Sequence, residues 1–376
     1  MVLLSGPNLS GNELKYVKDC IDTGWVSSVG SYVSDFEKSL SNYVGSKYAV
    51  AMSSGTTALH LSLEVLNICK DDYVIAPNLT FIATLNAIKY TNAIPILLDV
   101  DEKSWQMDLD LLEKFLDSKT KQVGSNCVLK EDGKIIKALV SVHVLGNMCD
   151  MSRLVKICET YNIILVEDAA ESLGSKYSLK HSGTFGKIGC FSFNGNKIIT
   201  CGGGGMIVTD DEKIAIKAKH LSTQAKADSF EYFHDEIGYN YRLTNVSAAI
   251  GLAQMEQLNK FIRKKHEIKD FYVNSLKNVG DIIFQNVDNK VSSNWWLFTI
   301  RTKKQKSLLN ALNKNKLQSR PFWIPMNNLP MFKENIYITE KNISSIIYES
   351  ALSIPCSTNI KEEELSRVVD CIKKEF

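Results

Sequence analysis

"IILVEDAAESLGS", residues 163 to 175, joins an apolar, strand-forming run to two successive carboxylates and a pair of alanines. A run that stays hydrophobic at consecutive positions suits a strand buried on both faces, the usual environment of a parallel sheet. Glu167 and Asp168 then fall at the C-terminal end of that strand, where ligands bind in open parallel sheets. A carboxylate in so apolar a setting needs a cationic partner or several hydrogen bonds. An acidic strand-end cap is the plainer alternative. Glu171, three residues on, points back toward the same place if a helix starts there.

Working outward, similar runs recur: "YAVAMS" (48–53), "YVIAP" (73–77), "AIPILLDV" (93–100), "IIKALVSVHV" (135–144), "IGCFSF" (188–193) and "GMIVTD" (205–210). Segments with apolar residues at helical spacing, such as "TTALHLSLEVLNI" and "MSRLVKICETYN", separate several of them. Strand–helix–strand alternation predicts an α/β domain with a mainly parallel seven-stranded sheet and helices on both faces. After about residue 245 the texture changes. "NVSAAIGLAQMEQLNKFIRKKHEIKDFYVNSL" reads as one long helix or two with a bend, followed by shorter strands such as "NWWLFTIRT" and a closing helix. The expected division is a large α/β domain over 1–245 and a smaller α+β domain over 246–376.

Composition narrows the function classes. Lys plus Arg number 44 and Asp plus Glu 42, so the formal charge is +2. That balance gives no electrostatic reason to expect nucleic acid or an anionic membrane as partner. No stretch approaches the roughly 18 apolar residues that span a bilayer, and the first residues lack the pattern of a signal peptide. Nine cysteines are scattered without a C-x-x-C pair. Neither a disulfide framework nor a zinc or other metal site is indicated, and a cytoplasmic location is expected.

Two further stretches carry chemistry. In "AMSSGTTALHLSL" (51–63) a strand runs through Ser54-Gly55-Thr56-Thr57 directly into a helix. Backbone N–H groups and the helix dipole at such a junction favour a phosphate, and an ordinary N-cap would look the same. In "SFNGNKIITCGGGGMIVTD" (192–210) Ser192 and Lys197 lie just past a strand, at the sheet edge that holds Asp168. Lys197 could be a surface charge, a phosphate clamp or a covalent anchor for an aldehyde cofactor. A lysine that anchors pyridoxal phosphate needs an acid for the ring nitrogen and a cradle for the phosphate. Candidates for all three are present. The glycine run, Gly202 to Gly205, reads as a tight turn behind Lys197 without a ligand role.

The stretches "SSGTTALHLSL", "PNLTFIATLNAI", "VEDAAESLGS", "GCFSFNGNKIITCGGGGMIVT" and "GYNYRLTNVSAAIGLAQMEQL" occur in this order. Together they resemble the DegT/StrS-type sugar-nucleotide aminotransferases, a branch of the fold-type I, aspartate-aminotransferase-like enzymes that use pyridoxal 5'-phosphate. The resemblance implies that Lys197 holds the cofactor covalently and shuttles a proton, and that Asp168 pairs with the ring nitrogen. It places Thr56, Thr57 and Ser192 on the phosphate and Phe81 against the ring. Glu171 takes the position beside the ring hydroxyl, where many members carry Gln or His. Asn240 of "GYNYR" matches a phosphate ligand that reaches in from the partner subunit, so a homodimer with shared sites is expected.

The opening stretch is similar to a branch acting on nucleotide-linked 4-keto-6-deoxy sugars, which includes enzymes of legionaminic-acid-type sugar synthesis. Trp25 and Val26 are then candidates for sugar-nucleotide contacts, with Arg320 and Trp323 of "SRPFW" as a second set. The expected reaction moves an amino group, from L-glutamate by resemblance, onto C4 of the sugar for surface glycan or sialic-acid-like sugar synthesis. Alternatives are 3-keto amination, a dehydrase and, outside enzymes, a regulator that binds the cofactor without turnover. Dehydrase relatives replace the lysine with histidine, and this chain keeps Lys197. No additional DNA-binding module is visible.

Overall fold

The computed structural model describes residues 1–228 and 230–376. All seven expected strands form one sheet, and an eighth strand of two residues extends it. Its order is Tyr48–Met52, Gly205–Thr209, Ile188–Ser192, Ile164–Asp168, Ile136–Val142, Tyr73–Pro77, Ile94–Leu98 and Tyr337–Ile338. Gly205–Thr209 runs against the rest; the pairs from Ile188–Ser192 onward are parallel. The strand Tyr337–Ile338 pairs with Leu97 and Leu98. Two residues are too few to leave a periodic signal in the sequence.

Continuous hydrophobicity has the expected cause. Val74 and Ala76 join one buried cluster while Tyr73 and Ile75 join another, so successive residues face opposite layers. Helices Gly55–Val65 and Glu212–Ser222 cover the first face; Leu109–Lys119, Met151–Tyr161, Ser31–Val44 and Asn245–Met255 cover the second.

Strand register decides where chemistry can happen. Asp168 lies opposite Val142 on one side and Cys190 on the other. Gly205 is the common partner of Met52 and Ser192. The ends of these strands therefore share one sheet edge, and the loops that follow them meet there.

Beyond residue 245 the long helical segment is two helices, Asn245–Met255 and Leu258–Leu276. A second, four-stranded antiparallel sheet contains Phe298–Arg301 and Ala351–Ile354 at its centre. Leu258–Leu276, Gln305–Lys314 and Glu362–Lys373 supply its apolar cover through residues such as Tyr272, Leu308 and Val368. The same cluster includes Val142, Val144, Leu145 and Trp296, so it continues to the main-sheet edge. We propose that the chain comprises two units near the expected boundary. Asn245–Met255 packs on the helices of the larger one, and Tyr337–Ile338 returns to its sheet. Among the described residues, no helix is long and apolar enough to cross a membrane.

Candidate active site

The two carboxylates ending Ile164–Asp168 are both buried and differ in their partners. Glu167 Oε2 lies 2.8 Å from His143 Nε2 and accepts the Gly183 N–H at 2.7 Å. Its Oε1 accepts the N–H groups of Phe185 and Gly186 at 2.6 and 2.7 Å. Burial pushes this carboxyl up, but His143 and the N–H donors outweigh burial and hold it below the ordinary glutamate value. Asp168 has fewer partners: the Thr84 hydroxyl on Oδ2 at 2.6 Å and the Ala170 N–H on Oδ1 at 3.1 Å. Burial therefore leads, and its pKa is raised despite Thr84, Ala170 and the charge of Lys197.

A cavity of about 270 Å³ opens beside Asp168. Lys197 lines it, with only 11 % of its side chain exposed, and its Nζ lies 3.5 Å from Glu171 Oε1. No helix starts at Glu171; Ala170, Glu171, Leu173 and Gly174 lie in turns. Glu171 reaches the cavity because Asn294 Nδ2 donates to its carbonyl at 2.9 Å and the Leu145 N–H holds Oε2 at 2.9 Å. Burial raises its pKa to about 7, against Lys197 and the Leu145 N–H; the Asp168 charge adds to the rise.

The loop after Ile188–Ser192 doubles back: Phe193 donates to the Gly204 carbonyl at 2.9 Å and accepts from Cys201 N–H at 3.0 Å. Gly203 and Gly204 thereby reach the cavity wall, so the glycine run does more than turn the chain. At Gly205 an added Cβ would lie 2.3 Å from the Ser54 carbonyl oxygen, which is why the helix start can sit against this strand.

That helix, Gly55–Val65, carries a capping box. The Ser54 side chain accepts from Thr57 N–H, and the Thr57 hydroxyl accepts from Ser54 N–H. Thr57 is thus engaged in capping and is not among the residues that line the cavity. Thr56 and Ser192 do line it, together with Gly55. An added Cβ at Gly55 would meet Ser192 Cβ at 2.8 Å, so the helix terminus and the serine are packed together.

Phe81 and Trp323 close another side, with ring centroids 6.2 Å apart. The remaining expected residues do not line the cavity. Trp25 and Val26 are exposed, and the Trp25 carbonyl accepts from Asn245 Nδ2 at 2.8 Å. Arg320 is exposed at the edge of the smaller sheet. Asn240 is exposed and bridges Thr223 in its own chain. The sequence reading missed Thr84, His143 and Trp296. His143, directly after an apolar run that neighbours the Asp168 strand, was the one signal available; Trp296 was hidden in a segment read as strand.

A family model for the DegT/DnrJ/EryC1/StrS aminotransferase family matches residues 7–373. The chain belongs to this family. The GDP-perosamine synthase of Escherichia coli O157:H7 is 38% identical over 372 residues, spanning 98% of this chain and 96% of that protein. The Vibrio cholerae GDP-perosamine synthase is 33% identical over 381 residues, spanning 100% and 99%. A DegT DnrJ EryC1 StrS aminotransferase from Brucella abortus superposes with a TM-score of 0.90 at 25% identity, over 97% of this chain and 95% of that one. As a DegT-family member the protein is a pyridoxal-phosphate-dependent sugar aminotransferase of fold type I.

The site fits that cofactor. A buried Asp168 with two neutral donors lacks the cation that a protonated ring nitrogen brings. A lysine stands in the same cavity, and among the described residues no hydrogen bond engages the Gly55 or Thr56 N–H at the helix terminus.

A Glu171 pKa near 7 has a consequence for stability. The folded cofactor-free protein binds more protons here than the unfolded chain does. Stability is therefore lost as pH rises from about 4.5 through about 7. Glu171→Gln should flatten that part of the pH profile of the cofactor-free protein in denaturant titrations. An unchanged slope would show that Glu171 does not titrate there.

Proposed function

We propose that the protein transfers an amino group, from L-glutamate, to C4 of a nucleoside-diphosphate-linked 4-keto-6-deoxy hexose, giving a 4-amino-4,6-dideoxy sugar nucleotide. The observation that carries the reading is the convergence of Lys197, Glu171 and Asp168 in one cavity with the terminus of helix Gly55–Val65. Two relatives of matching length are named GDP-perosamine synthase, and perosamine is a 4-amino-4,6-dideoxy hexose. That favours GDP as the nucleotide to test first, and the comparisons do not single out the legionaminic-acid branch. Nine free cysteines, eight of them buried, support a reducing cytoplasm as its location.

Bound pyridoxal phosphate supplies an electron sink for the carbon that bears the amine. Lys197 is assigned as its covalent anchor. When not covalently engaged, its Nζ would be the group that moves a proton to and from the carbon bearing the amine. Asp168 would keep the proton on the ring nitrogen, and its burial would strengthen this interaction by excluding water. Glu171, held by the Leu145 N–H, would stand beside the ring hydroxyl. The N–H groups of Gly55 and Thr56, with the hydroxyls of Thr56 and Ser192, hold the phosphate, and Thr57 helps by fixing the helix start. Phe81 would lie against the ring, and Trp323 beside it would contact the sugar nucleotide. Trp25, Val26 and Arg320 keep their assignment to the outer nucleotide contacts.

We further infer a homodimer in which Asn240 serves the partner's site. Its exposure, and its absence from its own chain's cavity lining, agree with action across an interface. The neighbouring segment 230–237 exposes Phe230, Tyr232, Phe233 and Ile237.

Incubation with GDP-, UDP- and dTDP-linked 4-keto and 3-keto sugars plus glutamate should yield one amino sugar nucleotide. NMR should place nitrogen on C4 of a 6-deoxy hexose; nitrogen on C3 would overturn the regiochemistry. For the shared site, Lys197→Ala and Asn240→Ala proteins are refolded together at limiting cofactor. Each mixed dimer then contains one native site, so activity should exceed that of either parent. No recovery after verified subunit exchange would refute the shared site.

A further inference from the structure

Lys197 Nζ has a second neighbour besides Glu171. It lies 3.9 Å from the ring centroid of Trp296, well inside cation–π range. Trp296 is 3 % exposed and held at three points. Its indole N–H donates to the Asn196 carbonyl at 2.6 Å, and its backbone N–H donates to Asn294 Oδ1 at 2.9 Å. Its own carbonyl accepts from Lys265 Nζ at 2.7 Å. Trp295, just before it, has φ +52°, a region that bulky side chains rarely enter unless their surroundings enforce it.

The third hold is unusual. Lys265 is 2 % exposed, and its Nζ also contacts the Cys356 carbonyl at 2.6 Å and Cys356 Sγ at 3.4 Å. Three acceptors match the three donors of a charged amine. Burial draws the Lys265 pKa down and the Cys356 contact opposes it. A buried lysine spent on two carbonyls is a costly way to pin a loop. The loop it pins ends at the ring facing Lys197.

We propose that Trp296 is a positioning residue for Lys197: its indole face, braced by Lys265, is where the lysine's nitrogen rests when it is protonated and not covalently engaged. The inference rests on the assignment of Lys197 as the anchor. In transamination the lysine must leave the aldehyde carbon and remain close enough to carry a proton. Glu171 alone would hold the nitrogen but could also accept its proton. An indole face attracts the cation and has no lone pair to take a proton, because Trp is a donor only. Here that donor is turned to Asn196, so the surface offered to Lys197 is the ring itself.

Two measurements test this. The wild-type protein is crystallised with pyridoxamine phosphate, whose amine leaves the lysine unattached. Lys197 Nζ should stay about 4 Å from the Trp296 ring; a nitrogen directed away from the ring overturns the proposal. Pyridoxamine phosphate lying away from Lys197 would instead overturn the anchor assignment. In the cofactor-free protein, the rate of reductive methylation is read at Lys197 by peptide mapping, with exposed Lys70 as internal reference. Trp296→Met should speed labelling of Lys197 about tenfold, the scale of a desolvated cation–π contact, without change at Lys70. Trp296→Phe keeps a π face and should restore most of the protection. A folded Trp296→Met protein that labels Lys197 at the wild-type rate refutes the role; should that variant fail to fold, the crystal structure decides.

Discussion

Burying two neighbouring carboxylates at one strand end is the constraint around which this structure is arranged. Leaving a charge buried and unpaired costs several kcal/mol, typically about 3–5 when one partner of a buried pair is lost. Glu167 meets the constraint internally, through His143 and the three N–H groups of the 183–186 turn. It ties that turn to the centre of the sheet. Asp168 meets it only in part, with one hydroxyl and one N–H, and faces the cavity. The same strand end thus supplies a structural carboxylate and one whose missing counter-charge a cationic ring nitrogen can provide. Binding that cation would add stability by mass action.

The smaller C-terminal sheet takes part in the site through one continuous apolar cluster. Leu145 contributes the N–H that fixes Glu171 and also belongs to that cluster, as does Trp296, whose ring faces Lys197. Asn294 joins the two by bonding the Glu171 carbonyl and the Trp296 N–H. Glu171 and Lys197 are therefore positioned from both sheets. This explains how a turn without helical structure keeps a carboxylate at a fixed distance from an amine.

Much of this was legible in the sequence, for a physical reason. Strands buried on both faces leave consecutive hydrophobic residues, so the seven main strands and their polar ends, Asp168 and Ser192 among them, stand out against the chain. Lys197 stood out because it follows such an end. What was hidden depends on contacts distant in sequence. Trp296 meets Lys197 across 99 residues, and nothing in "NWWLFTIRT" distinguishes a ring facing a site from one in a core. Thr57 could be read two ways because a capping hydroxyl and a phosphate-binding hydroxyl occupy the same place in a sequence; the bonds to Ser54 are seen only in the structure. That Gly203 and Gly204 line the cavity was not legible, because a missing side chain signals a turn and a cavity wall equally.

The central claim is that Lys197 is the covalent anchor, with Asp168 as acid partner. Borohydride reduction of the cofactor-loaded protein, followed by peptide mapping, tests it most directly. The account predicts one pyridoxyl group per chain, on the peptide that contains Lys197. A label on any other lysine, or no bound chromophore after reconstitution with pyridoxal phosphate, would contradict it.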